Sequence, residues 1–126
     1  MIKTRDDIAH IIASLRNNFN AFIMDRLAKE GITELVPSHG AILVVLYENG
    51  PQPMKVICER VRRDKSTLTV LARKLEVLGY IRREPDENDN RVTILHLTEK
   101  GVNFQSLFER ISEELYHKIW GDTPAR

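Results

Sequence analysis

Apolar residues near the start of the chain recur at intervals of three and four positions, which is the spacing of one helical face. This pattern covers Asp6–Lys29 and predicts one long helix that ends near Gly31. A second helix is expected from Pro37 to Asn49, with Ser38 as its N-cap. The same spacing rule predicts a third, shorter helix over about Pro53–Val61.

The most regular apolar spacing lies in the middle of the chain, where leucines recur at intervals of three, four and three positions. It predicts a helix from about Lys65 to Leu78, closed by Gly79. Only a few polar residues separate this helix from the third one, which is the connection length of a helix-turn-helix. The leucines expected to face inward are Leu68, Leu71, Leu75 and Leu78.

After Gly79 the pattern changes from that of a helix to that of strands. Tyr80–Glu84 and Arg91–Leu97 are expected to form a two-stranded hairpin around a segment rich in turn-forming residues. A last helix then begins after Thr98, its predicted N-cap, and its apolar stripe reaches Trp120. The predicted fold is mostly α with a small β-hairpin wing, a winged helix-turn-helix.

The length and composition fit one soluble globular domain spanning residues 1–126. No apolar run approaches the roughly 20 residues that a membrane helix requires, and the start lacks the apolar stretch of a signal peptide. The single cysteine, Cys58, has no cysteine partner for a disulfide, which agrees with a reducing compartment. We therefore expect a cytoplasmic protein without membrane contact.

The net charge of +1 conceals a strong gradient along the chain. Between Lys55 and Arg83 there are nine basic and three acidic residues, a balance of +6, so the flanking segments together carry −5. A basic centre between acidic arms is typical of a protein that meets a polyanion with one face. The alternative for any single residue is an ordinary solvated surface charge.

The middle helix has the side chains that a recognition helix uses in the major groove. Hydroxyl groups can contact base edges or phosphates, arginine suits guanine, lysine suits phosphate, and Val70 offers an apolar surface to a thymine methyl group. The alternative is that Ser66 and Thr67 only start the helix while its cations are solvated. The residues on this outward face are Lys65, Ser66, Thr67, Thr69, Val70, Arg73 and Lys74.

The predicted hairpin favours the DNA-binding interpretation. A wing with Arg91 beside its tip can reach the minor groove next to the major groove that the helix occupies, and arginine suits a narrow, electronegative groove. Asp89 would be repelled by DNA, so we expect it to orient Arg91 and to accept hydrogen bonds from loop amides. The alternative for this pair is a surface ion pair of little energetic weight.

Four spaced segments resemble the MarR family of bacterial and archaeal regulators: Asp64–Thr69, Leu75–Ile81, Asp89–Arg91 and Leu97–Gly101. The resemblance covers nearly the whole chain, and it is specific because the segments occur in the right order. It implies a homodimer with a recognition helix over about Lys65–Leu78 and a wing over about Ile81–Leu97. Ser66, Thr67, Thr69 and Arg73 resemble the family's groove-facing residues, and Asp89, Asn90 and Arg91 resemble its wing tip.

The resemblance also implies a function. It predicts a sequence-specific regulator that binds pseudo-palindromic double-stranded operator DNA, usually as a repressor, and is relieved by a small aromatic or anionic effector or by oxidation. The DNA-binding lobe would span about residues 36–97, and the dimerisation helices about 6–30 and 98–120. Two departures are that many relatives have arginine where this chain has Val70, and that the family's final dimerisation helix is absent or very short.

Other chemistry finds little support in the sequence. Cys58 is expected to be a buried core thiol rather than a redox sensor, and the four histidines lack metal-ligand spacing. His39 could line a ligand crevice or simply lie at a helix start. No phosphate-cradling loop, nucleophile elbow or catalytic triad is present, so we expect neither an enzyme nor a cofactor. The alternative from another class is a winged-helix module for protein–protein interaction, whose docking face would show aromatic or methionine anchors.

Overall fold

A computed structural model describes residues 5–121, so the ends of the predicted domain 1–126 lie outside the described residues. The described residues form five helices and three strands. In chain order these elements are α1 Arg5–Lys29, α2 Pro37–Asn49, β1 Gln52–Pro53, α3 Met54–Val61, α4 Lys65–Val77, β2 Ile81–Pro85, β3 Thr93–Leu97 and α5 Glu99–Trp120. The five helices and the two long strands agree with the expected order, and the fold is the predicted winged helix-turn-helix.

The predicted two-stranded hairpin is in fact part of a three-stranded antiparallel sheet with the order β1-β3-β2. Strand β3 pairs with β2 from Ile81↔Leu97 to Pro85↔Thr93, and on its other edge with β1 at Gln52↔Leu95. The extra strand was missed because two residues, one of them a proline, are too short to show alternation.

The start of α2 differs by one position from the expectation. The helix begins at Pro37, so Ser38 lies inside its first turn and is not the residue that precedes it. Proline suits the first helical position because it lacks the N–H group that would have no partner there. The Ser38 hydroxyl instead accepts a hydrogen bond from Arg63 Nη2 at 3.5 Å.

The described residues divide into two compact units, one of residues 5–37 and 109–121 and the other of Ser38–Phe108. The second unit holds the recognition helix and the wing around one apolar core. Two of the four leucines expected to face inward on α4 are only half-buried, Leu71 and Leu78, whereas Ala72 is fully buried. The fully buried large side chains of this unit are Ile42, Leu43, Leu46, Ile57, Leu68, Leu75, Ile81 and Leu95.

The end of α4 is fixed to the start of α5 by several close contacts. Gly79 has φ +90°, and the amide of Tyr80 donates to the carbonyl of Leu75, which ends the helix. Thr98 caps α5 as expected, since its hydroxyl accepts from the amide of Gly101 at 3.1 Å and donates to the carbonyl of Gly79. A Cβ atom on Gly101 would lie 2.2 Å from the Tyr80 carbonyl oxygen, so this approach requires glycine.

In the other unit, α1 is joined to the later part of α5 by ion pairs. Arg26 Nε donates to Glu114 Oε2 at 2.8 Å, and Arg110 Nη2 lies 3.4 Å from Glu30 Oε1. Many apolar side chains of this unit remain exposed, with 40–59% exposure on α1. These residues are Ile8, Ile11, Ile12 and Leu15 on α1, Val36 just before α2, and Ile119 and Trp120 on α5.

Two absences hold within the described part of the chain. None of its helices has the length and apolarity needed to cross a membrane. Residues 5–121 also contain no cluster of three or more His, Cys, Asp or Glu side chains arranged to hold a metal ion.

Candidate nucleic-acid interface

The recognition helix begins with a strong N-cap that the sequence analysis did not single out. Asp64 has an extended backbone, and its Oδ1 accepts a hydrogen bond from the amide of Thr67 at 2.7 Å. This hydrogen bond holds the pKa of Asp64 below its ordinary value because it stabilises the carboxylate. The sequence carried the signal, an aspartate immediately before the predicted start of the helix at Lys65.

The side chains expected to face the groove are largely exposed. Lys65, Ser66, Thr67, Val70, Arg73 and Lys74 are exposed on α4, and Thr69 is half-buried. Within residues 5–121 the structure gives the side chains of Lys65 and Arg73 no hydrogen bond or ion pair. A cation without a protein partner can contact DNA without first breaking an internal bond.

Thr69 is an exception among the residues expected to face the groove. Its hydroxyl donates a hydrogen bond to the carbonyl of Lys65, four residues earlier in the same helix, at 2.7 Å. Such back-bonding is common for threonine within helices. The hydroxyl proton is therefore committed to the helix, and the groups left for a ligand are the methyl group and the oxygen lone pair.

At the wing tip, Asp89 and Arg91 form the contact that was expected from the sequence. Asp89 Oδ1 accepts from the Arg91 amide and from Arg91 Nε, each at 3.1 Å, and Oδ2 accepts from Nη2 at 3.2 Å. These bonds lower the pKa of Asp89, chiefly through the guanidinium. The Arg91 side chain is nevertheless 90% exposed, so its orientation is fixed while its surface stays open.

The amides of the wing loop have a second acceptor. Asp86 Oδ2 accepts hydrogen bonds from the amides of Asn88 and Asp89, each at 3.1 Å, and the amide of Asp86 donates to the carbonyl of Val92. Asn90, predicted as part of the wing tip, is exposed. The tip is thus a loop ordered by its own aspartates.

A cleft of about 670 Å³ lies between α3, the start of α4 and the wing. It brings together three of the predicted site residues, Lys65, Thr69 and Arg91, although Arg91 is 26 positions from Lys65 in the chain. The other predicted residues do not line it and lie along the helix or at the wing tip: Ser66, Thr67, Val70, Arg73, Lys74, Asp89 and Asn90. The cleft is lined by two acids, Glu59 and Asp64, and by five cations: Lys55, Arg63, Lys65, Arg83 and Arg91.

Three of these cations were counted in the basic segment but were not identified as site residues: Lys55, Arg63 and Arg83. Arg83 Nε donates to Glu76 Oε1 at 3.0 Å, which joins β2 to the end of α4. Arg63 is held by Ser38, as described above. The positions of Arg63 and Arg83 depend on partners in other elements of the fold, so the charge count alone could not place them.

Cys58 differs from its expectation, whereas His39 lies in the first turn of α2, in agreement with one of its two interpretations. Cys58 is half-buried and lines the cleft, so the expectation of a buried core thiol is wrong. Its position beside the exposed Lys55 and Glu59 explains this, because the adjacent Ile57 takes the core position. His39 is buried, with 4% exposure, and burial lowers its pKa, with a further contribution from the charge of Lys74.

The structure combines an exposed helix after a short turn with a β wing whose arginine lines the same cleft as that helix. This arrangement is that of the winged helix-turn-helix proteins. Residues 35–93 match the family model described as MarR family. The match assigns this segment, which holds the recognition helix and most of the wing, to the MarR family, as the sequence motifs predicted.

Individual relatives agree with this assignment. The chain is 32% identical over 78 residues to the HTH-type transcriptional regulator SarZ of Staphylococcus epidermidis, a match covering 62% of this chain and 53% of SarZ. It is 38% identical over 68 residues to the uncharacterized HTH-type transcriptional regulator YkoM of Bacillus subtilis, covering 54% of this chain and 44% of YkoM. The chain thus spans about half the length of the curated relatives that it matches.

Among solved structures, overoxidized AbfR bound to DNA superposes with a TM-score of 0.76 at 28% identity, over 86% of this chain and 78% of that one. A MarR transcriptional regulator from Methanosarcina mazei Go1 gives a TM-score of 0.83 over 97% of this chain and 86% of that one. Its 22% identity supports the fold alone.

Proposed function

We propose that this chain is a sequence-specific, double-stranded-DNA-binding transcription regulator that acts by binding and not by catalysis. The observation that carries the proposal is the cation-lined cleft, in which the start of the recognition helix and the wing arginine Arg91 lie together. With α4 in the major groove and Arg91 in the adjacent minor groove, the helix and the wing would contact the same duplex at once.

The chemistry of α4 favours DNA over a protein partner. Its outward face carries hydroxyl groups and cations, and Val70 is its large apolar residue at the centre, with 66% exposure. A protein-docking face would present aromatic or methionine anchors there. Support also comes from AbfR, a structural neighbour that was solved bound to DNA. On these grounds the protein-interaction module is the weaker candidate.

We assign the contacts as follows, as part of the same proposal. Arg73 and Val70 read base edges, Lys65 and Lys74 contact phosphates, and Arg91 enters the minor groove. The remaining residues of the proposed interface are Ser66, Thr67 and Thr69 on the helix and Asp89 and Asn90 at the wing tip.

The protein is further proposed to act as a homodimer, because the exposed apolar side chains of α1 and α5 provide a surface to cover. Two recognition helices about 34 Å apart would then fit successive major grooves of a pseudo-palindromic operator. In this scheme α1 and α5 supply the dimerisation helices, and about residues 36–97 form the DNA-binding lobe.

The mode of regulation rests on family membership. We infer a cytoplasmic repressor that a small aromatic or anionic effector releases from its operator by changing the spacing of the two recognition helices. Calorimetry with phenolic acids on the purified protein tests the effector. A protein that binds its operator but none of these compounds would contradict this part of the proposal alone.

The central test is a fluorescence-anisotropy titration of the purified protein against DNA from upstream of its own gene and against a randomised duplex pool, at two salt concentrations. We expect salt-dependent binding with a clear preference for the upstream DNA. Light scattering on the same sample should give twice the mass of the chain. A folded protein that binds no duplex would favour the protein-interaction module instead.

A further inference from the structure

Arg62 has a left-handed backbone at the turn between α3 and α4, with φ 56° and ψ 49°. The other residues with positive φ in the described range are all glycines: Gly31, Gly50, Gly79 and Gly121. Left-handed geometry is disfavoured for a residue with a Cβ atom and free for glycine. This turn therefore holds a large side chain where the backbone alone would select glycine.

The backbone of Arg62 has a structural task, but the side chain has none in the described part of the protein. The amides of Arg62 and Arg63 both donate to the carbonyl of Cys58, which ends α3 and turns the chain toward Asp64. The Arg62 side chain is exposed, and residues 5–121 provide it with no hydrogen bond or ion pair. Glycine could perform the backbone task without strain.

Arg62 differs from three nearby arginines that have partners, and also from Arg60 and Arg73, which lack a partner among residues 5–121 but do not have a left-handed backbone. Arg63 Nη2 is bound to Ser38, Arg83 is bound to Glu76, and Arg91 is bound to Asp89. Those three contacts also serve the fold. Arg62 keeps its charge without a partner and at a conformational cost, and strained residues of this kind concentrate at functional sites.

We propose that Arg62 is a phosphate-contacting residue that grips the DNA backbone at the edge of the major groove. The inference rests on the proposed DNA-binding function and adds to it a contact on the turn, outside the recognition helix and the wing. Arg62 lies three positions before Lys65, the first residue of α4. The first residues of a recognition helix approach the bases, so the turn just before them lies at the rim where phosphates run.

Phosphate rather than a base is the partner that the turn favours. The guanidinium can hold a phosphate with two parallel hydrogen bonds, and such contacts carry no sequence information. Each neutralised phosphate contributes a slope of about −0.9 to log K against log salt concentration. If the variant and the wild type bind equally at 1 M salt, loss of one contact therefore weakens binding by about eightfold at 0.1 M salt.

The test is the variant Arg62→Gly, measured by thermal unfolding and by anisotropy titrations at several salt concentrations. We expect a Tm no lower than that of the wild type, because glycine relieves the left-handed strain. Affinity for the upstream DNA and for the random pool should fall by the same factor, about eightfold at 0.1 M salt, and the salt slope should become about 0.9 shallower. Arg62→Asn, which tolerates left-handed geometry and is stiffer than glycine, should show the same loss.

Two controls make the result specific. Arg62→Lys keeps the charge and should retain the wild-type salt slope. Arg16→Gln removes the same charge from an exposed position on α1 in the other unit and should leave the slope unchanged. An unchanged slope for Arg62→Gly and Arg62→Asn, or a lower Tm for Arg62→Gly, would overturn the inference while the proposed function stands. A wild-type protein that binds no duplex would overturn both together.

Discussion

Lys100, in the first turn of α5, donates a hydrogen bond from Nζ to the carbonyl oxygen of Leu78 at 2.6 Å. Its ammonium group also lies 4.5 Å from the centre of the Tyr80 ring. Leu78 is the C-cap of the recognition helix, where carbonyl groups lack partners within the helix and attract a positive charge. The start of α5 thus stabilises the end of α4.

The variant Lys100→Met tests this contact, because methionine keeps much of the aliphatic stem and removes the donor. We expect the free energy of unfolding to fall by about 0.5–1 kcal/mol, the net contribution of an exposed hydrogen bond. Urea unfolding followed by circular dichroism measures it. Lys55→Met is the matched control, since Lys55 is exposed and has no partner among residues 5–121. Equal stability of the two variants would show that the Leu78 contact is energetically silent.

The second prediction concerns Asp89 at the wing tip. Although a negative charge repels DNA, its removal here should weaken DNA binding. Asp89→Ala removes the carboxylate that accepts three hydrogen bonds from Arg91. We expect operator affinity to fall by about two- to fivefold, although removal of a carboxylate by itself favours DNA binding. Glu87→Ala is the matched control, an exposed acid of the same loop that should bind DNA as tightly as the wild type or more tightly. Tighter binding by Asp89→Ala would refute the orienting role.

The two cations near the middle of α4 should separate base contacts from phosphate contacts. Arg73→Ala is expected to cost about 1–3 kcal/mol in operator binding and to relax the preference at one base pair. Lys74→Ala should weaken binding to all duplexes alike and make the salt slope about one unit shallower. Titrations against single-base operator variants measure both effects. A uniform loss in both proteins would contradict the assignment of Arg73 to a base.

Val70 is expected to read a thymine through its methyl group. Replacement of that thymine by deoxyuridine removes only the methyl group, so the wild-type protein should lose about 0.8 kcal/mol, roughly fourfold in affinity. The variant Val70→Ala should bind the thymine and deoxyuridine duplexes equally, which a double-mutant cycle would record as coupling. This role would be contradicted if the wild-type affinity did not change when each operator thymine in turn was replaced by deoxyuridine.

The sequence predicted the helices well because their apolar periodicity is local. Strand β1 escaped it, since its two residues become a strand only by pairing with Leu95 and Ile94 more than forty positions later. The sequence also placed Asp89 beside Arg91, because the contact spans two positions. Arg83 and Glu76 are seven positions apart on different elements, so their ion pair was invisible before folding.

The backbone at Arg62 and the exposure of Cys58 show a further limit. The usual sequence signal for left-handed geometry is glycine or asparagine, and an arginine carries neither. For Cys58, the apolar spacing of α3 did not distinguish between adjacent positions, and Ile57 occupies the core while Cys58 faces the cleft. Local patterns therefore identified the elements, whereas the cleft depended on how those elements pack.

Burial of His39 predicts how stability depends on pH. Its pKa in the folded protein lies below the ordinary value of 6.5 because burial, with Lys74, disfavours the charged form. Above pH 6.5 the imidazole is neutral in both states and contributes no pH dependence. As the pH falls below 6.5, the unfolded chain takes up a proton that the folded protein resists, so the free energy of unfolding decreases until the folded pKa is passed.

Urea unfolding of the wild type and of His39→Gln at pH 7.5 and 5.5 measures this contribution. The wild type should lose more stability between the two pH values than the variant, because glutamine does not titrate. His117→Gln is the matched control for the same substitution at an exposed histidine. If His39→Gln lost as much stability as the wild type, the acid sensitivity would arise elsewhere, and the buried imidazole would have to accept its proton without cost.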